Sequence, residues 1–180
     1  IILVKFFPMT PPPETTPPAT TAPTTTGVAA TTQETSAGIS LVGDKTPNDN
    51  ITLGSTDKST GYRMRAVFTN EGASLASLRL SEFLESLTDS KSGYGLIEPV
   101  TYASDGTQYS LTTEKLTLRD DQGRTFVVDL RNARWFHSVE SAGETARVRF
   151  WIDIQHEGKP LARLTKAFGL KKNSYDVAMD

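Results

Sequence analysis

The sequence predicts an all-β fold, an antiparallel sandwich in which most strands bury one face. After Ile51, apolar and polar residues alternate with a period of two through several long stretches. Short polar turns, several of them containing glycine, separate these stretches. Strict alternation is typical of antiparallel strands with one buried and one solvated face. Strands joined by short turns indicate a sandwich or barrel rather than alternating strands and helices.

Residues 1–8, IILVKFFP, are apolar apart from Lys5 and the final proline. A helix needs ~20 apolar residues to cross a bilayer, so this segment is too short to span one alone. It also lacks the cleavage site of a signal peptide. Two interpretations remain open: a terminus without fixed structure, or the outer end of a transmembrane helix that begins outside the chain. In the second, Lys5 would snorkel toward the membrane surface.

Residues 9–50 are predicted to be a disordered linker. Seven of the ten prolines lie between Pro8 and Pro23, interleaved with threonine, and this composition leaves little to bury. The proline-rich half should be a semi-rigid extended spacer, and the remainder more flexible. A glycosylated, mucin-like stalk has the same composition and stays open as an alternative. Near the end of the linker, the stretch Ile39–Val42 is apolar enough to dock on the domain that follows.

The predicted folded part runs from Ile51 to Asp180. The first clear strand is expected to bury one face, made of Tyr62, Met64, Ala66 and Phe68. A hairpin with a glycine-containing turn is expected to bury Leu116, Leu118, Phe126, Val128 and Leu130. A longer strand and the one after it are expected to bury Val148, Phe150, Ile152, Ile154, Leu164, Phe168 and Leu170. One helix of two turns is predicted over 80–87, with Ser81 as its N-cap.

The segment TNEGA, Thr69–Ala73, interrupts the apolar pattern and is predicted to reverse the chain. Gly72 is the residue in it best able to adopt a positive φ. Leu75 is out of phase with Leu78 and Leu80, so we expect a β-bulge just after the turn.

Two residues depart from the alternation of their strands. Trp151 falls on the polar face of its strand, where it either contacts a partner or a sugar ring or is covered by a neighbouring element. Lys166 falls in phase with Leu164 and Phe168, as expected of an inward charge at a sheet edge that discourages pairing between molecules.

The sequence singles out no catalytic, cofactor or metal site. The net charge is −2 and no basic stretch stands out, which argues against a nucleic-acid partner. The chain has no cysteine, and His137 and His156 are far apart in sequence. Asp120 and Asp121 fall in a predicted hairpin turn, where aspartate is favoured for backbone reasons. We therefore expect a protein without enzymatic activity and without a cofactor.

The order of short motifs resembles the large periplasmic domain of the YidC/Oxa/Alb family of membrane protein insertases, in the long form of planctomycete-type bacteria. At the start of the folded part, the residues that carry the resemblance are Ile51–Ser55, Gly61, Tyr62, Thr69–Ala73, Leu78 and Leu80. In the last strands they are Lys166, Phe168, Leu170, Tyr175 and Val177. The resemblance covers 51–180.

The resemblance implies a β-supersandwich of galactose-mutarotase type, of which this chain holds roughly the first half. Residues 1–8 would be the end of a transmembrane helix and 9–50 the linker to a periplasmic domain. The protein would then lie in the bacterial inner membrane with this segment facing the periplasm. Its partners would be the Sec translocon and nascent membrane proteins, and its insertase core, which anchors it in the membrane, would lie beyond Asp180. No partner-binding residue is implied within this chain.

A second interpretation is a secreted or surface-anchored carbohydrate-binding sandwich on a proline- and threonine-rich stalk. It predicts exposed aromatic side chains, Trp151 or Trp135 among them, along a shallow face.

Overall fold

The computed structural model describes residues 30–34, 38–46, 49–83, 93–104, 106–119, 121 and 123–180. The predicted segment 1–8 and the proline-rich part of the linker lie outside these residues. The described strands are β1 Ala30–Glu34, β2 Ile39–Asp44, β3 Asn50–Gly54, β4 Met64–Thr69, β5 Ser74–Leu80, β6 Tyr94–Ile97, β7 Val100–Tyr102, β8 Gly106–Gln108, β9 Lys115–Arg119, β10 Thr125–Asp129, β11 Phe136–Ala142, β12 Thr145–His156, β13 Lys159–Lys171 and β14 Val177–Met179. A short 3-10 helix, Lys58–Thr60, lies between β3 and β4.

The larger sheet has the strand order β1-β2-β12-β13-β14. Strand β11 also pairs with β12, along the same edge as β2. All of these pairings are antiparallel, and β12 and β13 form a long hairpin at the centre of the sheet. The alternating apolar residues of these two strands account for that hairpin, because each strand places them on one face.

A second sheet has the order β3-β4-β5-β6, also antiparallel throughout. Two further pairs, β7 with β8 and β9 with β10, are separate two-stranded ladders. The hairpin predicted from Leu116 to Leu130 is the β9–β10 pair. Its residues Leu116, Leu118 and Phe126 are half-buried against the core, and Val128 is fully buried.

One apolar core joins the two larger sheets. The ring of Phe68 on β4 stacks on the ring of Phe168 on β13, and Phe150 on β12 meets Phe168 edge-on. The other largest fully buried side chains are Trp135, Leu41, Leu53, Met64, Leu75, Leu130, Ile152, Ile154 and Leu170. The predicted all-β antiparallel sandwich is therefore confirmed.

The folded part begins earlier than predicted. The sequence predicts a disordered linker over 9–50, yet Ala30–Glu34 and Ile39–Asp44 are strands of the larger sheet. Ile39 and Leu41 are buried, because β2 pairs with β12 and turns alternate side chains into the core. The expected docking of this stretch is thus pairing within the sheet, and the linker prediction is wrong for the two strands.

The helix predicted over 80–87 is not confirmed at its start. Leu80 is the last residue of β5, and Ser81 binds the β3–β4 connection instead of capping a helix. Its N–H donates to the carbonyl of Arg63, and its hydroxyl donates to the carbonyl of Tyr62. Glu82 and Phe83 are also not helical, and residues 84–87 lie outside the described residues.

Candidate functional site

The turn between β4 and β5 is buried, although a hairpin turn is usually exposed. Gly72 has φ +61°, as predicted, and Asn70 is inaccessible to solvent. The β-bulge predicted near Leu75 is present, because Phe68 pairs with Leu75 while Val67 pairs with Ser77.

Two loops that are distant in sequence enclose this turn. The N–H of Gly72 donates to the carbonyl of Ala133 at 2.9 Å, and the carbonyl of Gly72 accepts from the N–H of Thr113 at 2.9 Å. The N–H of Trp135 donates to the carbonyl of Asn70 at 2.9 Å. Because every one of these groups is a backbone atom, the arrangement satisfies buried peptide groups and supplies no reactive side chain.

A polar cleft, open to solvent, lies beside the turn. Its lining residues are Glu71, Thr107, Gln108, Tyr109, Thr112, Glu114, Arg131 and Asn132. The guanidinium of Arg131 is 3.0 Å from the carboxylate of Glu114, and both side chains are largely exposed. Among the described residues that line the cleft, there is no histidine or lysine. The cleft can therefore offer hydrogen bonds to a polar molecule.

Lys166 points inward, as its phase in β13 predicted, and it reaches the loop that covers the turn. Its Nζ donates to the carbonyl of Leu111 and to Oγ1 of Thr113, at 3.3 Å for the latter. Nζ also lies 5.2 Å from the centre of the Phe168 ring. Burial lowers the pKa of Lys166 to about 8. The side chain therefore holds the loop against the end of the core.

The outer face of the larger sheet carries a stacked aromatic pair. Trp151 on β12 lies opposite Phe136 on β11, with ring centres 5.7 Å apart and planes inclined by 26°. Trp151 is half-buried by this neighbour. Next to it, the guanidinium of Arg163 makes two hydrogen bonds to the carboxylate of Asp153, at 2.6 and 2.8 Å. These bonds raise the pKa of Arg163.

Trp135 does not join this aromatic surface. The carbohydrate-binding interpretation expected it among the exposed aromatic residues, but it is 1% exposed. Its backbone N–H donates to the carbonyl of Asn70 in the buried turn, and this bond holds the residue at the core. The expectation of an exposed aromatic is wrong for Trp135, and Trp151 is the partly accessible tryptophan.

The two histidines lie at separate places on the larger sheet. His137 is opposite Phe150, whereas His156 pairs with Lys159 six residues further along β12. Six residues of strand span roughly 20 Å, so the two rings do not converge. Asp121 is exposed, and Asp120 lies outside the described residues. Within the described part of the chain, no group of three or more histidine or acidic side chains could hold a metal ion.

One of the motif residues, Tyr175, links the two sheets at one end through Arg63 and Glu82. Tyr175, just before β14, donates its hydroxyl to Glu82, and the guanidinium of Arg63 lies 5.2 Å from the centre of its ring. Arg63 is also 3.1 Å from the carboxylate of Glu82. Two neighbours raise the pKa of Arg63: the hydrogen bond with Tyr175 has the larger effect, and the negative charge of Glu82 has the smaller one. Nothing in the local sequence pattern places 63, 82 and 175 together.

No helix of the described residues is long and apolar enough to cross a membrane. Comparisons of the chain with protein-family models, with curated proteins and with solved structures found no significant match.

Proposed function

We propose that this chain is the periplasmic portion of a YidC-type membrane protein insertase. In this proposal, the whole protein receives hydrophobic segments, alone or beside the Sec translocon, and releases them into the inner membrane. The sandwich is an accessory domain that contacts or positions a partner, without enzymatic chemistry or a cofactor.

The observation that supports the proposal is the set of places that the motif residues occupy. Phe168 lies in the contact between the two sheets, and Gly72 in the enclosed turn. Tyr175 joins the β13–β14 connection to Arg63 and Glu82, and Lys166 fastens the covering loop. If the motif marks a shared fold, its residues should pack and connect the sandwich, as these do. If it marked an active site, its residues would bring reactive groups together in one cleft.

The first experiment is cell fractionation with an antibody against residues 51–180. An insertase of this type is expected in the inner-membrane fraction after carbonate extraction, with the epitope accessible to protease in spheroplasts. The sequence that follows Asp180 in the gene is expected to encode several apolar stretches of ~20 residues. Release of the protein into the medium, or a gene without such stretches, contradicts the proposal.

The second candidate is a carbohydrate-binding sandwich. The outward Phe136–Trp151 pair favours it, because an aromatic face beside planar hydrogen-bonding groups suits a sugar ring. Under this candidate, the Trp151→Ala variant loses glycan-array binding while the Val139→Ala variant, altered at an exposed residue of the same sheet, keeps it. An array on which the native chain binds no glycan rejects the candidate.

A further inference from the structure

An arginine without a charged partner lies beside the aromatic pair on the outer face of the larger sheet. Arg149 is two residues before Trp151 on β12, and both side chains point away from the core because the intervening Phe150 is buried. Arg149 is exposed, and its side chain makes no hydrogen bond or ion pair within the described part of the chain. Its neighbours across the ladder, Ser138 and Ala167, are short and uncharged.

The two other arginines on this face of β12 and β13 already have acidic neighbours. Asp153 holds Arg163 by two hydrogen bonds. The guanidinium of Arg147 contacts the carboxylate of Asp180, and Glu140 lies opposite it on β11. The guanidinium next to the tryptophan is therefore the one on these two strands that has uncharged residues on both sides.

The indole of Trp151 has one covered face and one accessible face. Phe136 stacks on one side, with ring centres 5.7 Å apart. The residue across the ladder on the other side is Thr165, which is exposed and too short to cover the ring. Strand β12 is paired along both edges at positions 149 and 151, so β11 and β13 define the surroundings of this surface.

An aromatic face beside a guanidinium suits a sugar that carries a carboxylate. The C–H groups of a pyranose ring pack against an aromatic face. A carboxylate on the ring would accept charge-assisted hydrogen bonds from Arg149, which are roughly twice as strong as neutral ones. Residues two apart on a strand are separated by roughly 7 Å, a distance that an arginine side chain can bridge. A neutral sugar would use the indole and leave the guanidinium without an anion.

We propose that the outer face of the larger sheet binds an acidic sugar, a hexuronate residue of a polysaccharide. The sugar ring lies against Trp151, and its carboxylate binds Arg149. This inference rests on the carbohydrate-binding candidate and names its substrate class. It does not depend on the insertase proposal.

The probes are short oligomers of galacturonate and of mannuronate, titrated into the full chain by calorimetry at about 0.15 M salt, where exposed charges are screened. The matched control for each is the same oligomer with its carboxyls methyl-esterified, which keeps the rings and hydroxyls and removes the charge. We expect at least one acid to bind at least tenfold more tightly than its ester. Equal binding of acid and ester overturns the inference and leaves the carbohydrate-binding candidate standing. If neither acid binds, the inference is overturned, and the neutral sugars of the glycan array decide the candidate separately.

Two variants test the two contacts. The Arg149→Gln variant keeps a planar hydrogen-bonding side chain without the charge, and it is expected to bind the acid at least tenfold more weakly and the ester unchanged. The Trp151→Ala variant is expected to bind neither. The control is Arg65→Gln, at an exposed arginine of the second sheet, which should keep the native affinity. Equal losses for the two arginine variants would show a general effect of charge and overturn the inference.

A polyanion without sugar rings separates recognition from simple attraction between charges. Polyglutamate of similar length carries the carboxylates but offers no ring to the indole. It is expected to bind at least tenfold more weakly than the uronate oligomer. Binding of equal strength identifies a non-specific anion surface and overturns the proposal.

Discussion

The ring of Phe68 lies against the ring of Phe168, with centres 4.6 Å apart and planes inclined by 28°. One ring comes from β4 and the other from β13, so this contact joins the two sheets at the middle of the core. Both side chains are fully buried, and Phe150 closes the cluster from β12.

Removing one of these rings should cost a large part of the stability of the sandwich. The Phe168→Ala variant is expected to lose about 3–5 kcal/mol of unfolding free energy, because the cavity and the lost contacts add together. Urea denaturation followed by fluorescence measures the loss. The control is Val127→Ala, at a side chain that is 58% exposed, with an expected change within ~0.5 kcal/mol. Similar midpoints for the two variants would contradict a shared core.

Gly72 should be intolerant of a side chain for two separate reasons, its positive φ and its crowded surroundings. A Cβ at Gly72 would lie 2.7 Å from Cγ2 of Thr112 and 2.8 Å from the carbonyl oxygen of Arg131. Gly143 has nearly the same φ, +59°, but a Cβ there would meet nothing within 4 Å. The Gly143→Ala substitution should therefore lower the unfolding free energy only by the cost of the left-handed conformation, about 1–2 kcal/mol.

The Gly72→Ala variant is expected to lose more than the Gly143→Ala variant, because the enclosing loops must also move. Thermal unfolding of the two variants side by side measures the difference. Equal decreases in stability would contradict this expectation, because they would mean that the loops around the turn can move at no energetic cost.

Titration of Lys166 should make the protein more stable as the pH rises through the alkaline range. The pKa is about 8 in the folded chain and about 10.5 when the side chain is unperturbed, as in the unfolded chain. Between these two values the unfolded state binds more protons, so the unfolding free energy increases with pH. The stability contributed by neutralising this amine is absent below pH ~8 and complete above pH ~10.5.

The Lys166→Met variant isolates this effect, because it has no ammonium group to bury. The unfolding free energy of the native chain minus that of the variant is expected to rise by on the order of 1–2 kcal/mol from pH 7 to pH 10, after allowance for solvent screening. Chemical denaturation at a series of pH values measures it, and the other lysines and tyrosines cancel in the difference. A flat difference would mean that the amine is well solvated.

The hydrogen bond from Tyr175 to Glu82 should make a small contribution to stability. The Tyr175→Phe variant keeps the ring beside Arg63 and loses only the hydroxyl, so a loss of about 0.5–1.5 kcal/mol is expected. Tyr102→Phe, at a side chain that is 49% exposed on β7, is the control. If Tyr175→Phe lowers the unfolding free energy no more than Tyr102→Phe does, the hydroxyl contributes nothing, and Tyr175 acts only through its ring.

The alternating pattern predicted the strands well wherever it was long. The burial of Val148 and Ile152 and the inward direction of Lys166 all follow from a period of two. The bulge near Leu75 could be predicted for the same reason, because an out-of-phase apolar residue requires an extra residue in one strand.

Features that depend on distant parts of the chain could not be predicted. Ile39 and Leu41 form a short alternation next to a threonine-rich region, and only pairing with β12 makes them a strand. Trp135 is buried because a loop bonds the Asn70 turn, a contact that spans more than sixty residues of sequence.

Strand β12 shares one edge between two partners, with β11 along 145–151 and β2 along 153–156. The two strands meet at Gly43, where a Cβ would lie 1.9 Å from the carbonyl oxygen of Arg134. Neither strand can shift along β12 toward the other without a collision at this junction. Slip of β2 and β11 toward each other along β12 is therefore blocked by a steric contact, and only glycine at position 43 allows the two backbones to come so close.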